Sequence, residues 1–189
     1  MSAKNAVKEY IEKAKILLTE MEVDSVAEIT EELNRCFGDG KKILVCGNGG
    51  SASDASHFVG ELAGRFRRDR EAIAAIALTV DPAVITAIAN DYGYENVFSR
   101  QVEALGREGD VLIAITTSGE SPNILKAAET ARESGLRVIA FTSAQCENPN
   151  WADLHWKSHS VATSHTQEQI LVAFHAICYG LEEILAEKE

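Results

Sequence analysis

Four short, unbroken apolar runs constrain this chain more than any other feature: Ile43-Leu44-Val45-Cys46, Ile73-Ala74-Ala75-Ile76-Ala77-Leu78, Val111-Leu112-Ile113-Ala114-Ile115 and Val138-Ile139-Ala140-Phe141. Runs of this kind, without polar alternation, belong to strands covered on both faces, as in a parallel sheet between helical layers. Helical stretches separate them, over 51–66, 82–90, 96–105 and 122–134, with a last one from about 165 to 187. Strand alternating with helix is the doubly wound α/β pattern. A weaker fifth strand is expected around Leu154-His155-Trp156. Residues 2–37 read as two helical segments broken near Glu22-Val23-Asp24-Ser25. Val7, Ile11, Ala14, Leu17 and Leu18 recur at helical spacing, and Ser25 is a candidate cap for a second segment carrying Ile29, Leu33 and Phe37. The expectation is one α/β domain over 1–189, with N-terminal helices (1–37) packed on the core or on a neighbouring subunit.

Eighteen Lys and Arg against 29 Asp and Glu give a formal charge of −11. A broad nucleic-acid surface or an anionic membrane surface is excluded, because either partner would be repelled over most of the protein. An anionic ligand must then be held locally, by backbone dipoles and a few chosen groups. The start, Met1-Ser2-Ala3-Lys4-Asn5, lacks an apolar signal core, and no uninterrupted run approaches a membrane span. Cys36, Cys46, Cys146 and Cys178 form no CxxC pair, so reduced and mostly buried thiols are expected, in a cytoplasmic protein.

In doubly wound sheets ligands bind beyond the carboxyl ends of the strands. The third run ends in Thr116-Thr117-Ser118-Gly119-Glu120-Ser121-Pro122. Ser121-Pro122 is a helix-start signal, a hydroxyl cap followed by a residue preset for the first turn. The new helix offers unpaired N–H groups and the positive end of its dipole, and the hydroxyls of Thr116, Thr117, Ser118 and Ser121 suit phosphate oxygens. No lysine follows, so this is not the GxxxxGK[ST] loop. The first run ends in Gly47-Asn48-Gly49-Gly50-Ser51-Ala52, which satisfies G-x-G-x-x-[G/A] and keeps a dinucleotide site open. Asp81 is the acid that such a site would use for ribose, but Asp81-Pro82 reads better as helix cap and first turn.

His57 and Glu61 stand four apart on the helix leaving the glycine loop, so both project from one face. His175 lies among Leu171, Val172, Phe174, Ala176 and Ile177, where a core role is the simpler reading. His155, His159 and His165 are expected to be solvated or structural. Two imidazoles and a carboxylate would suit Zn²⁺ if the fold brings them together.

Cys46-Gly47-Asn48-Gly49-Gly50-Ser51, then Asp54, His57-Phe58 and Glu61-Leu62, resembles the signature of the phosphoheptose isomerase family, within the sugar isomerase (SIS) domain proteins. Ala89-Asn90-Asp91-Tyr92-Gly93, Phe98-Ser99-Arg100-Gln101, Gly109-Asp110-Val111-Leu112 and Thr117-Ser118-Gly119 with Ser121 extend the resemblance from about residue 41 to 142. It implies a three-layer α-β-α sandwich on a five-stranded parallel sheet, a homotetramer with active sites at subunit interfaces, and aldose–ketose isomerisation of sedoheptulose 7-phosphate. It also implies substrate contacts at Asn48, Gly49, Gly50, Asn90 and Asp91, and a phosphate site at Ser51, Thr116, Thr117, Ser118 and Ser121. The implied zinc ligands are His57, Glu61, Gln167 and His175, one ion per subunit, with Gln167 also touching substrate and Glu61 and His175 as the acid/base pair.

Two segments depart from the pattern. Residues 143–150 replace a glycine-rich stretch, and Thr163-Ser164-His165-Thr166 stands where the family has Thr-x-Arg-Ile. Gln167 and His175 keep the family's separation, which on one regular helix is about 12 Å of rise; a shared ion then requires Gln167 at or before the helix start. Two alternatives bracket the reading: a non-catalytic SIS protein that binds a phosphosugar or the replication initiator, and a nicotinamide-dependent oxidoreductase.

Overall fold

The computed structural model describes residues 1–187. Two helices come first, α1 (Ala3–Thr19) and α2 (Val23–Gly38). Strand β1 (Ile43–Gly47) leads into α3 (Gly50–Ala63), and β2 (Ala75–Ala77) into α4 (Pro82–Tyr92). A single 3-10 turn (Tyr94–Asn96) and α5 (Ser99–Leu105) precede β3 (Val111–Ile115) and α6 (Pro122–Glu133). Strands β4 (Arg137–Thr142) and β5 (Leu154–Lys157) follow, and α7 (Thr163–Ala186) completes the described chain.

The five strands form one parallel sheet in the order β2-β1-β3-β4-β5. Alternation within each run feeds two cores. Ile43, Val45, Val111, Ile113, Ile139 and Phe141 point to one face, where α2, α3 and α7 pack. Leu44, Cys46, Leu112, Ala114 and Val138 point to the other, beneath α5 and α6. The apolar runs are therefore continuous because both faces are covered, and the three-layer α/β expectation is met.

This strand order has its switch point between β1 and β3. The chain leaves β1 toward one face, through α3, and leaves β3 toward the other, through α6, which opens a crevice at the carboxyl ends of these two strands. The glycine loop and the hydroxyl loop both fall there.

Several local expectations shift. The run 73–78 supplies only Ala75–Ala77, because an edge strand pairs with β1 alone and over a short register. The helix expected over 96–105 starts at Ser99, after the 3-10 turn. Ser25 does not cap α2; it lies inside the helix, and its hydroxyl donates back to the Glu22 carbonyl at 3.5 Å. Ser2 caps α1 instead, accepting from the Asn5 N–H. By length and composition α7 could cross a bilayer, but Ile170, Phe174, Ile177 and Leu181 of this helix are buried core residues. All four cysteines are free thiols; Cys36, Cys46 and Cys178 are buried, and burial pushes each of these up to about 12.

Candidate active site

A cavity of about 280 Å³ occupies the switch point, lined by Asn48, Gly49, Gly50, Ser51, Thr116, Thr117, Ser121, Thr163 and Gln167 among others. Three helices begin on it: α3 at Gly50, α6 at Pro122 and α7 at Thr163. None of the three has a side-chain cap. The Ser121 hydroxyl, expected to cap α6, lies 3.1 Å from Thr116 Oγ1 instead. Three uncapped amino-terminal dipoles around one small polar cavity favour a bound anion. Ser118 is outside the lining; its hydroxyl lies 3.4 Å from Thr116 Oγ1 and accepts from the Glu120 N–H at 3.2 Å.

Two glycines shape this cavity for different reasons. A Cβ on Gly47 would come 2.7 Å from the Ser51 carbonyl oxygen, so only glycine lets α3 start so close to the strand. A Cβ on Gly50 would come 2.2 Å from Gln167 Nε2, so Gly50 makes room for that amide. The structure places Gln167 in the second turn of α7, since the helix starts at Thr163 rather than near 165. The condition set in the sequence, Gln167 at or before the helix start, is therefore not met. Its amide lies against Gly50 at the cavity, and about 12 Å of helix rise separates it from His175.

Farther along the same helix pair, His57 Nε2 lies 3.2 Å from both Glu61 Oε1 and His175 Nε2. One ligand atom from each of the three residues falls within 4.8 Å of the others. The cause is local packing. Phe58 and Phe174, the neighbours of His57 and His175, stack with centroids 4.2 Å apart and lock α3 against α7. Arg70 donates to the Glu61 and Leu62 carbonyls and so holds the end of α3, and the Phe66 ring stacks on His175. Tetrahedral zinc with Zn–N of about 2.0–2.1 Å spaces its ligand atoms about 3.3 Å apart. The observed separations and the two-imidazole, one-carboxylate donor set fit such an ion.

Asn90 and Asp91 do not join this group within the chain. The Asn90 amide donates to Asp91 at 2.7 Å, and Asp91 borders a separate groove of about 470 Å³ between α4 and α5. Asp81 accepts from the Ala83 and Val84 N–H groups, capping α4, which removes it from a ribose role. His155 lies 2.7 Å from Thr142 Oγ1, with its pKa lowered first by burial and then by Lys157. His165 is buried, 2.8 Å from Glu168 and stacked on Tyr10. Standing where the arginine would be, it faces α1. His159 is exposed.

Three residues near the site were given no role by the sequence, Asp54 entering only within the family signature. Asp54, one turn before His57, keeps an Oδ2 with no hydrogen-bond partner, and its carboxyl is raised by burial against the opposing pull of His57. Asn123 and Tyr94 both bond the side chain of Asn48. An amide pair bridging such a distance in sequence leaves no local signal.

Residues 9–143 match the SIS domain family. The chain belongs to that family. Around this SIS domain the similarity extends nearly end to end: the chain is 44% identical to the phosphoheptose isomerase of Clostridium acetobutylicum, over 96% of this chain and 94% of that protein. A solved phosphoheptose isomerase from Francisella tularensis superposes with a TM-score of 0.91 at 36% identity, covering 97% of this chain and all of the other. One from Neisseria gonorrhoeae gives 0.85 at 37% identity, covering 95% and 98%. The SIS expectation drawn from the resemblance over residues 41–142 is borne out.

Proposed function

We propose that this chain is an aldose–ketose isomerase that converts sedoheptulose 7-phosphate to D-glycero-D-manno-heptose 7-phosphate, supplying heptose for lipopolysaccharide core, capsule or another glycoconjugate. One observation carries the reading: an anion cavity and a His–Glu–His cluster lie along a single helix pair, α3 and α7. The phosphoheptose isomerase names of the relatives support the same substrate class.

Phosphate would sit in the cavity against the three helix ends, with Ser51, Thr116, Thr117 and Ser121 donating to its oxygens and Ser118 buttressing Thr116. Asn48, Gly49, Gly50 and Gln167 would hold the adjoining hydroxyls. Anchored there, the opened sugar extends toward His57, Glu61 and His175, and fixing one end orients the other. Interconversion moves a proton between C1 and C2 through an enediol(ate). Glu61 and His175 share these transfers: one removes the carbon proton and returns it to the neighbouring carbon, and the other exchanges the proton between the two oxygens.

His57, Glu61 and His175 would hold one Zn²⁺ per subunit, while Gln167 stays with the cavity, its amide against Gly50 and about 12 Å of helix rise from His175. When bound, the ion supplies a Lewis acid that polarises the reacting oxygens.

Homotetramer assembly is part of the proposal. Helix α4 is apolar along much of its length yet buries no residue in its own chain. Val7, Ile11 and Ile16 of α1 are also exposed, as are Val172 and Tyr179 of α7. Two separate apolar faces suit two kinds of isologous contact, as in a dihedral tetramer. Asn90 and Asp91, at the end of α4, would then reach a site shared with a neighbouring copy. Unpaired buried thiols support a cytoplasmic setting.

The test is an isomerase assay on sedoheptulose 7-phosphate with the purified protein, following appearance of the aldose. Formation of the heptose phosphate supports the reading, and its absence at high enzyme concentration overturns it.

A further inference from the structure

The Asn48 side chain is fastened from two sides. Its Oδ1 accepts from Asn123 Nδ2 at 2.8 Å and from the Tyr94 hydroxyl at 3.1 Å, while its Nδ2 donates to Asn123 Oδ1 at 2.9 Å. Asn123 sits at the start of α6 and is 3% exposed; Tyr94 belongs to the 3-10 turn after α4 and is 54% exposed. A glycine with φ of +88°, Gly93, precedes Tyr94 and turns the chain there. Three elements from different parts of the sequence thus meet on one amide.

The bonding capacity of that amide decides what it can offer a ligand. A carboxamide oxygen has two lone pairs, and both are taken; the nitrogen has two N–H groups, and one is taken. One N–H remains, on a residue that lines the cavity. An unrestrained asparagine could present either its oxygen or its nitrogen to a ligand. This one is held as a donor.

We propose that Tyr94 and Asn123 are positioning residues that orient Asn48, so that it gives a single N–H to an oxygen of the phosphosugar. Neither acts on the reacting carbons; both work through Asn48. The proposal rests on the phosphosugar reading of the cavity. It assigns Tyr94, carried on the same segment as Asn90 and Asp91, a link from that segment to the glycine loop. Because the orientation is set before the ligand arrives, the ordering cost is removed from binding.

The experiment is a double-mutant cycle on the full-length protein with Tyr94→Phe and Asn48→Ala, reading kcat and KM for sedoheptulose 7-phosphate and Kd for the same compound by calorimetry. Tyr94→Phe removes one exposed hydroxyl and keeps the ring, so the fold and melting temperature should stay as they are. Losing one orienting hydrogen bond should raise KM and Kd about 3- to 10-fold, with kcat held within about twofold, the pattern of uniform binding lost. In the Asn48→Ala background the same change should have no further effect, because nothing remains to be oriented. An unchanged KM and Kd in Tyr94→Phe, or an equal loss in both backgrounds, overturns the proposal. If the unsubstituted protein binds the sugar without turning it over, the isomerase reading fails while Kd still decides the positioning role. If it does not bind at all, both fail.

Discussion

His57 Nε2 and His175 Nε2 face each other at 3.2 Å across 118 positions of sequence. With Glu61 Oε1 also 3.2 Å from His57, these side chains form one chemical unit made by two helices. If Glu61 and His175 exchange the substrate protons, Glu61→Gln and His175→Ala should each lower kcat about 10²-fold or more. Circular dichroism should show the fold intact. Near-normal turnover in either variant removes that residue from the role.

Ion uptake gives a readout independent of turnover. Elemental analysis should find one zinc per chain, lost in His57→Ala and His175→Ala. A ligand that binds only the folded protein at about 100 times its Kd stabilises it by about 2.7 kcal/mol, so chelation should lower the melting temperature and Zn²⁺ should restore it. A metal-free sample with full activity and an unchanged melting temperature would refute the assignment.

Gly47→Ala tests the tight turn from β1 into α3. Its Cβ would meet the Ser51 carbonyl oxygen at 2.7 Å, and backbone cannot give way as a flexible side-chain end can. The expected cost is about 1–3 kcal/mol, together with weaker phosphosugar binding, measured by urea unfolding and calorimetry. Gly38→Ala, where a Cβ meets nothing within 4 Å, serves as a neutral control.

Glu182, 2% exposed, accepts backbone N–H groups of Phe66, Arg67 and Arg68 and lies 3.4 Å from Arg70 Nε. Burial alone would raise its pKa, but these N–H groups and Arg70 outweigh it and hold the carboxyl below its ordinary 4.5. A depressed pKa stabilises the fold fully above the ordinary value, and that stability is lost as pH falls through the lowered one. Stability should therefore decline from pH 4.5 downward. Glu182→Gln should flatten that decline and cost about 1.5–3 kcal/mol at neutral pH.

Most of the fold was legible because burial on both sheet faces writes itself as unbroken apolar runs, and β1, β3 and β4 follow those runs closely, while β5 falls on the weaker Leu154-His155-Trp156 signal. The edge strand β2 was overread, since a run such as Ile73 to Leu78 records burial and not pairing. The two loops of the anion cavity were legible from chemistry at strand ends. The meeting of His175 with His57 was implied by the family resemblance alone, because helical spacing places a residue on a face without saying which helix it faces. Strand order settles that by laying α3 and α7 on the same side of the sheet. The capping expectation for Ser121 failed for a local reason: its hydroxyl has a partner in Thr116, five residues earlier in the same loop.

Three helix ends meeting at one cavity have a consequence for durability. The attraction comes from peptide groups, which do not titrate and cannot be substituted away. Replacing any single hydroxyl around the seat should trim affinity without abolishing it, and the grip should persist at alkaline pH, where a lysine clamp would lose its charge. Ligand preference can then drift through the rim residues while the seat itself continues to hold a negative group.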